Sequence, residues 1–143
     1  MIKEKGFIAA NYGGEDNIPW VSATDIAAAV ADEITAPLVG RKIRYVASDE
    51  LTCKEAAGIL GDAMRIPGLK WITITDEQMQ NNLESVGMPS HIAAGLVELN
   101  ASMHNGVLLE DYYLNKPRVM GEVKMKDFAK EFAGAFKQKT AAL

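Results

Sequence analysis

The chain has 143 residues, 48% of them hydrophobic and 24% charged, with a formal net charge of −4. That composition belongs to a folded domain rather than a disordered tract, and the length suits one domain spanning residues 1–143. Acidic balance and scattered basic residues, as in "GRKIR" and "KMKDFAKEF", exclude the basic stripe of a nucleic-acid surface.

From the N-terminus, "MIKEKGFIAANYGG" carries charges but no apolar core of a secretory signal. No apolar run reaches the roughly 18 residues of a membrane span. The expectation is a soluble, cytoplasmic protein with no membrane partner. "GFIAANY" reads as a short buried strand, ended by the turn residues "GGEDN". "IPWVS" follows in extended form, because Pro19 biases Ile18 away from helix.

Ser22 and Asp25 then predict a helix start. The hydroxyl accepts from a first-turn amide, and the carboxylate is expected to reach back and to favour the positive helix end. Ile26, Val30 and Ile34 recur every fourth residue as one apolar stripe, and Pro37 stops the helix. "RKIRYVAS" (41–48) alternates as a strand should. Thr52 and Glu55 predict a capping box for "CKEAAGILGDAM", and Thr75 and Gln78 another for "DEQMQNNLESVG", with "LKWITI" as a strand between them. Ser90 opens "HIAAGLVELNASMHN", where Ile92, Leu96, Leu99 and Met103 form the expected apolar side. Phe128, Phe132 and Phe136 are in register on a closing helix. The order β-α-β-α-β-α-α-loop-α predicts an α/β fold: a small mixed or parallel sheet of about three strands with five helices, its edges in need of a partner.

Chemistry is sparse in this frame. "YGGED" follows a strand but leads to Pro19 rather than into a helix, and the glycines of "AAGILGDA" lie within one, so neither is a dinucleotide fingerprint. His91 and His104 are the two histidines, far apart on one predicted helix and in no metal-ligand spacing; no metal site is expected. His91 reads as solvated and His104 as a cation near a helix C-terminus. The lone cysteine, Cys53, reads as a small first-turn residue rather than a catalytic thiol. Tyr112 and Lys116 have a Tyr-x-x-x-Lys spacing but lie in the turn-rich "EDYYLNKPR", where the match reads as accidental. "LLEDYY" either lines a pocket or closes a loop over the core. No catalytic residue is assigned.

Five segments in order, "IPWVSATDIAAAVADEI", "RKIRYVASDELTCKEAAGILGDAM", "LKWITITDEQM", "AAGLVELNASMHNGVLLEDYY" and "KMKDFAKEFAGAF", resemble the C-terminal half of NmrA-like proteins, atypical short-chain dehydrogenase/reductase relatives. The resemblance implies an NAD(P)-binding family whose glycine-rich loop and tyrosine–lysine positions lie in an N-terminal Rossmann portion that is not in this sequence. It therefore implies no cofactor-binding residue here, and NAD(P) only for the full-length protein. What remains is similar to the substrate-binding half, with a helical cap. Substrate-pocket candidates on the cap helix, the loop after it and the strand end are Trp20, Met88, His91, Asn100, His104, Tyr112 and Tyr113.

Three histories fit such a chain: an expressed domain, a proteolytic fragment, or a reading frame begun at an internal methionine. Three functions remain open: the substrate-side half of an NAD(P)-dependent oxidoreductase or isomerase-like protein acting on a small molecule, part of a redox sensor that binds a protein partner without turnover, or a freestanding interaction module. Unpaired sheet edges predict that the isolated chain self-associates.

Overall fold

The computed structural model describes residues 2, 6–37 and 40–141, with side chains described up to residue 136. In chain order the elements are β1 (Phe7–Ala10), β2 (Asn17–Trp20), α1 (Ala23–Thr35), β3 (Asp49–Thr52), α2 (Cys53–Met64), β4 (Lys70–Thr73), α3 (Asp76–Ser85), α4 (Ser90–His104), a 3-10 turn (Val107–Leu109), α5 (Glu110–Leu114) and α6 (Met125–Ala141). The fold is mixed α/β. Its strands form two pairs: β1 runs parallel to β4, with Phe7 beside Lys70 and Ala10 beside Thr73, and β2 runs antiparallel to β3, with Asn17 beside Thr52 and Trp20 beside Asp49. No described helix is long and apolar enough to cross a membrane.

The centre of the fold is the packing of α2 on α6 and on β4. Small side chains make it close: Ala56, Ala57 and Ala129 are fully buried and Ala133 nearly so, which lets helix backbones approach. Met64, Leu69 and Ala133 form the adjoining apolar cluster, with Ile8, Leu60, Phe132 and Phe136 packed around it. Phe128, Phe132 and Phe136 do stack in register, with ring centroids 5.8 and 6.2 Å apart.

Both expected capping boxes form. The Glu55 amide donates to Thr52 Oγ1 (3.1 Å) while Glu55 Oε2 accepts from the Thr52 amide (2.8 Å). Gln78 and Thr75 make the same exchange at 3.2 and 3.1 Å. Each box satisfies two amides that a helix start otherwise leaves without partners.

Four expectations are corrected. Residues 41–47 form no strand; the strand begins later, at Asp49, and pairs with β2. Alternation describes which way side chains face, but a strand also requires a partner backbone, and the 41–47 segment has no neighbouring strand among the described residues. On α4 the buried face is Ala93, Val97 and Asn100, while Ile92 and Leu99 are half exposed, and Pro89 rather than a side-chain cap precedes the helix. The "EDYYL" part of the expected loop is the short helix α5.

The fourth correction concerns Asp25. Ser22 Oγ does accept from the Asp25 amide (3.2 Å), but the carboxylate turns away from the helix start. It accepts from Ser48 Oγ (2.6 Å) and from the amides of Glu122 and Val123 (3.1 Å each). Those donors hold its pKa below the usual aspartate value, the Ser48 hydroxyl first. Lys124 closes the same knot, donating to the carbonyls of Ser48 and Gly121 at 2.7 Å. A Cβ at Gly121 would collide with the Asp25 carboxylate, so the close approach requires glycine. Asp25 thus ties α1 to the segment entering α6.

Candidate functional site

In parallel sheets the crevice beyond the carboxyl ends of the strands is the usual ligand position. Here the carboxyl ends of β1 and β4 open onto the turns at 11–16 and 74–76, with the C-terminal half of α4 beside them. Asn11 is the first residue after β1 and is 3% exposed. Its amide nitrogen donates to Asp76 Oδ1 (2.8 Å) and to the Val97 carbonyl (2.9 Å), and its oxygen accepts from Asn100 Nδ2 (2.9 Å). One buried asparagine therefore joins β1, the start of α3 and the middle of α4. The burial is tolerated because both asparagines are hydrogen-bonded.

One turn farther along α4, His104 Nδ1 lies 2.6 Å from Asp16 Oδ2. A carboxylate only accepts, so Nδ1 carries the proton of this contact. The same oxygen accepts from the Gly13 amide (2.7 Å) and shapes the 13–16 turn. Gly13 itself lies against the Trp71 indole, with no room for a side chain. Trp71 donates from Nε1 to the Tyr12 carbonyl (2.8 Å) and its ring meets Tyr12 (5.4 Å) and Trp20 (6.2 Å, edge-on). Trp20 is fixed by its own donation to the Leu51 carbonyl (3.0 Å). Asn100 and His104 of α4 thus meet Asn11 and Asp16 of the 11–16 turn, whose Tyr12 adjoins Trp71 and, through it, Trp20.

Cys53 lies close by but is fully buried, and desolvation, with Asp16 nearby, pushes its thiol up to about 12. A thiol held protonated is a poor nucleophile, so its role is packing. Burial also raises the Tyr12 pKa, with Cys53 contributing. Gly13 and Gly14 carry the chain from β1 into β2, so no helix N-terminus stands behind them to hold a phosphate.

The remaining tyrosines, Tyr45, Tyr112 and Tyr113, gather around β3. Tyr112 donates to Glu50 Oε1 (2.7 Å), and Lys116 Nζ lies 3.1 Å from both oxygens of that carboxylate. Tyr112 and Lys116, spaced as a Tyr-x-x-x-Lys pair, are therefore both engaged with Glu50. The Tyr112 hydrogen bond and then Lys116 lower the Glu50 pKa, while burial and Glu50 raise that of Tyr112. Tyr113 donates to the Asn17 carbonyl (3.0 Å), and Tyr45 donates to Asp111.

Of the expected pocket residues, the structure brings Trp20, Asn100 and His104 to the strand-end turn and Tyr113 to its neighbour at Asn17. Tyr112 is buried on Glu50. Met88, half-buried, and His91, exposed, stand at the other end of α4. Sequence reasoning missed Asn11, Asp16, Trp71 and Asp76. The available signal was a polar residue placed directly after an apolar strand, which marks Asn11.

No protein-family model matches the chain. The NAD(P)H azoreductase of Xenophilus azovorans is 30% identical over 142 residues, covering 94% of this chain and 47% of the azoreductase. The triphenylmethane reductase of Citrobacter sp., solved in complex with NADP(H), superposes with a TM-score of 0.67 at 20% identity, over 91% of this chain and 45% of that one. The NADPH-dependent quinone oxidoreductase of Escherichia coli gives 0.71 at 21% identity, over 90% and 46%. The two solved structures share the fold, and the chain spans about half the length of the curated relative it matches. Over its matched half, the chain is a homologue of the Xenophilus azovorans NAD(P)H azoreductase, and it shares the mixed α/β fold of the two solved reductases.

Proposed function

We propose that these residues are the substrate-side portion of an NAD(P)H-dependent reductase and receive a flat, conjugated electron acceptor, with the dinucleotide held by residues outside this sequence. One observation carries the reading: the strand-end turn joins an aromatic group (Tyr12, Trp20, Trp71) to fixed polar side chains (Asn100, His104), while its glycines lead into a strand rather than a phosphate-holding helix. Azo compounds, quinones and triphenylmethane dyes, named in the relatives, are all extended conjugated acceptors. Aromatic faces bind such rings by stacking, and the polar groups orient them. In this reading the acceptor lies against Trp20 with Asn100 and His104 at its polar edge and Tyr113 at the rim.

A nucleotide sensor without turnover is the second reading. It is favoured by one observation: Tyr112 and Lys116 are committed to Glu50 and are not free to act as a proton-donating pair. Turnover by the full-length protein separates the two.

Both tryptophans of the chain lie in the proposed cleft, so their fluorescence reports on it. A naphthoquinone is expected to quench that fluorescence saturably, and NADPH is expected to give no heat of binding in calorimetry on the 143-residue chain. Micromolar NADPH binding by this chain, or linear unsaturable quenching by quinone and azo dye alike, overturns the proposal.

A further inference from the structure

Reducing an azo bond or a quinone takes a hydride and a proton. The hydride alone leaves the acceptor as an anion, a hydrazide or a hydroquinone monoanion, with the charge gathered on a nitrogen or an oxygen. Tyr112 and Lys116 are both engaged with Glu50 and do not serve that atom. Cys53 is fully buried, and burial raises the Tyr12 pKa and makes its hydroxyl a poor proton donor. One proton-bearing side chain at the strand-end turn is both accessible and oriented.

His104 stands in the last turn of α4, its side chain about half exposed, with Nδ1 2.6 Å from Asp16 Oδ2. A carboxylate on Nδ1 fixes the tautomer and the orientation of the ring, and it offsets the positive charge of an imidazolium. Nε2, at the other edge of the ring, has no hydrogen-bond partner among the described residues. The carboxylate is itself held in place. Its Oδ2 accepts from the Gly13 amide (2.7 Å), and two backbone bonds anchor the turn to the start of α2: the Cys53 amide donates to the Asp16 carbonyl (3.2 Å) and the Lys54 amide to the Gly14 carbonyl (3.0 Å). The charged groups nearby on the turn, α2 and α3 are engaged elsewhere: Glu15 pairs with Lys54 (3.1 Å), Glu55 closes its capping box, and Asp76 accepts from Asn11 (2.8 Å). Glu98 lies on a different face of α4, and the 3-10 turn Val107–Leu109 carries no charge. Asp16 alone among the described residues forms an ion pair with the imidazole.

We infer that His104 is the catalytic proton donor of the reductase, held in position by Asp16, and that it protonates the nitrogen or oxygen of the conjugated acceptor left negative by the hydride. The inference rests on the acceptor reading above and names the residues that complete its reaction. The acceptor gains a hydride from NAD(P)H, the reductant in the relatives' names, and is reduced as the nicotinamide is oxidised. The Nε2–H bond of the imidazolium breaks as an N–H or O–H bond forms on the acceptor. Nδ1–H stays on Asp16, and Nε2 regains its proton from solvent.

The test is run on the 143-residue chain with two probes. A naphthoquinone is uncharged, as the acceptor is; lawsone, a hydroxynaphthoquinone ionised at neutral pH, imitates the anion. Binding is read by tryptophan quenching and proton uptake by calorimetry in buffers of different ionisation enthalpy. The imidazoles are read by proton NMR, since His91 and His104 are the two histidines. At about pH 7.5, where a free imidazole is mostly neutral, lawsone should bind with uptake of protons. It should move the His104 signal and leave that of His91, at the far end of α4, in place. His104→Gln should weaken lawsone binding about ten-fold or more and abolish the uptake, while naphthoquinone loses less, as a neutral hydrogen bond does beside a charge-assisted one. Asp16→Asn keeps an oxygen for the Gly13 amide, so it should lower the uptake with little change in naphthoquinone binding. An uptake unchanged by Asp16→Asn removes Asp16 from the assignment. Saturable naphthoquinone binding, with lawsone binding that takes up no proton, ignores His104→Gln or moves the His91 signal instead, overturns the inference and leaves the acceptor reading standing. Linear quenching by both probes removes the acceptor reading, and the proton donor falls with it.

Discussion

Two helices of this chain begin with the same grammar and end differently. α1 and α2 are both alanine-rich, both start at a hydroxyl that caps the third helical amide, and both carry apolar residues at helical spacing. α2 buries Cys53, Ala56, Ala57, Gly61 and Met64; α1 buries Asp25 and Ala29 and leaves Ile26, Val30 and Ile34 open. A hydrophobic stripe states that a face is made to be covered. It does not state that the cover lies in the same stretch of sequence.

The contrast can be broken by mutation. Met64→Ala, in the cluster under α2, should cost about 2–4 kcal/mol in urea unfolding, because a buried methionine leaves a cavity. Asp25→Ala should come next, since it strips the acceptor from Ser48 and from the amides of Glu122 and Val123 and so loosens the knot between α1 and α6. Asp25→Asn tests the electrostatic share. The folded-state pKa of Asp25 lies below the ordinary value near 4, so its contribution is fully present above that value and is lost as pH falls through the folded pKa. The stability curve of Asp25→Asn should therefore be flatter on its acid limb than that of the unmodified chain.

Thr52→Ala, which opens the capping box of α2, should cost about 1 kcal/mol by the same unfolding measurement. Ile34→Ala should be the smallest change, within about 0.5 kcal/mol in the isolated chain, despite removing a larger side chain than Thr52→Ala does. If Ile34→Ala rivals Met64→Ala, the stripe on α1 is covered after all and the contrast fails.

Local signals were readable in the sequence and long-range ones were not. Thr52 with Glu55 and Thr75 with Gln78 announce their helix starts because capping is settled within three residues. Residues 41–47 misled because alternation is local while pairing is not: the antiparallel partner of β2 is the polar Asp49–Thr52. Asp25 misled in the same manner, since its helix-start position was visible and its partners near residues 48 and 122 were distant. The candidate site was legible in part. Asn100 and His104 could be placed on a cap helix, but Asn11 and Asp16, far away in sequence, become their partners only once β1 meets α4. On α4 the face was misjudged because Asn100, a polar residue, belongs to the buried side and Ile92 and Leu99 do not.

The most direct test of the contrast between the covered α2 and the open α1/42–46 surface is amide hydrogen exchange, measured on the 143-residue chain. The amides of residues 42–46 should exchange freely while those of α2 are the best protected. Protection of 42–46 equal to that of α2 would contradict the account.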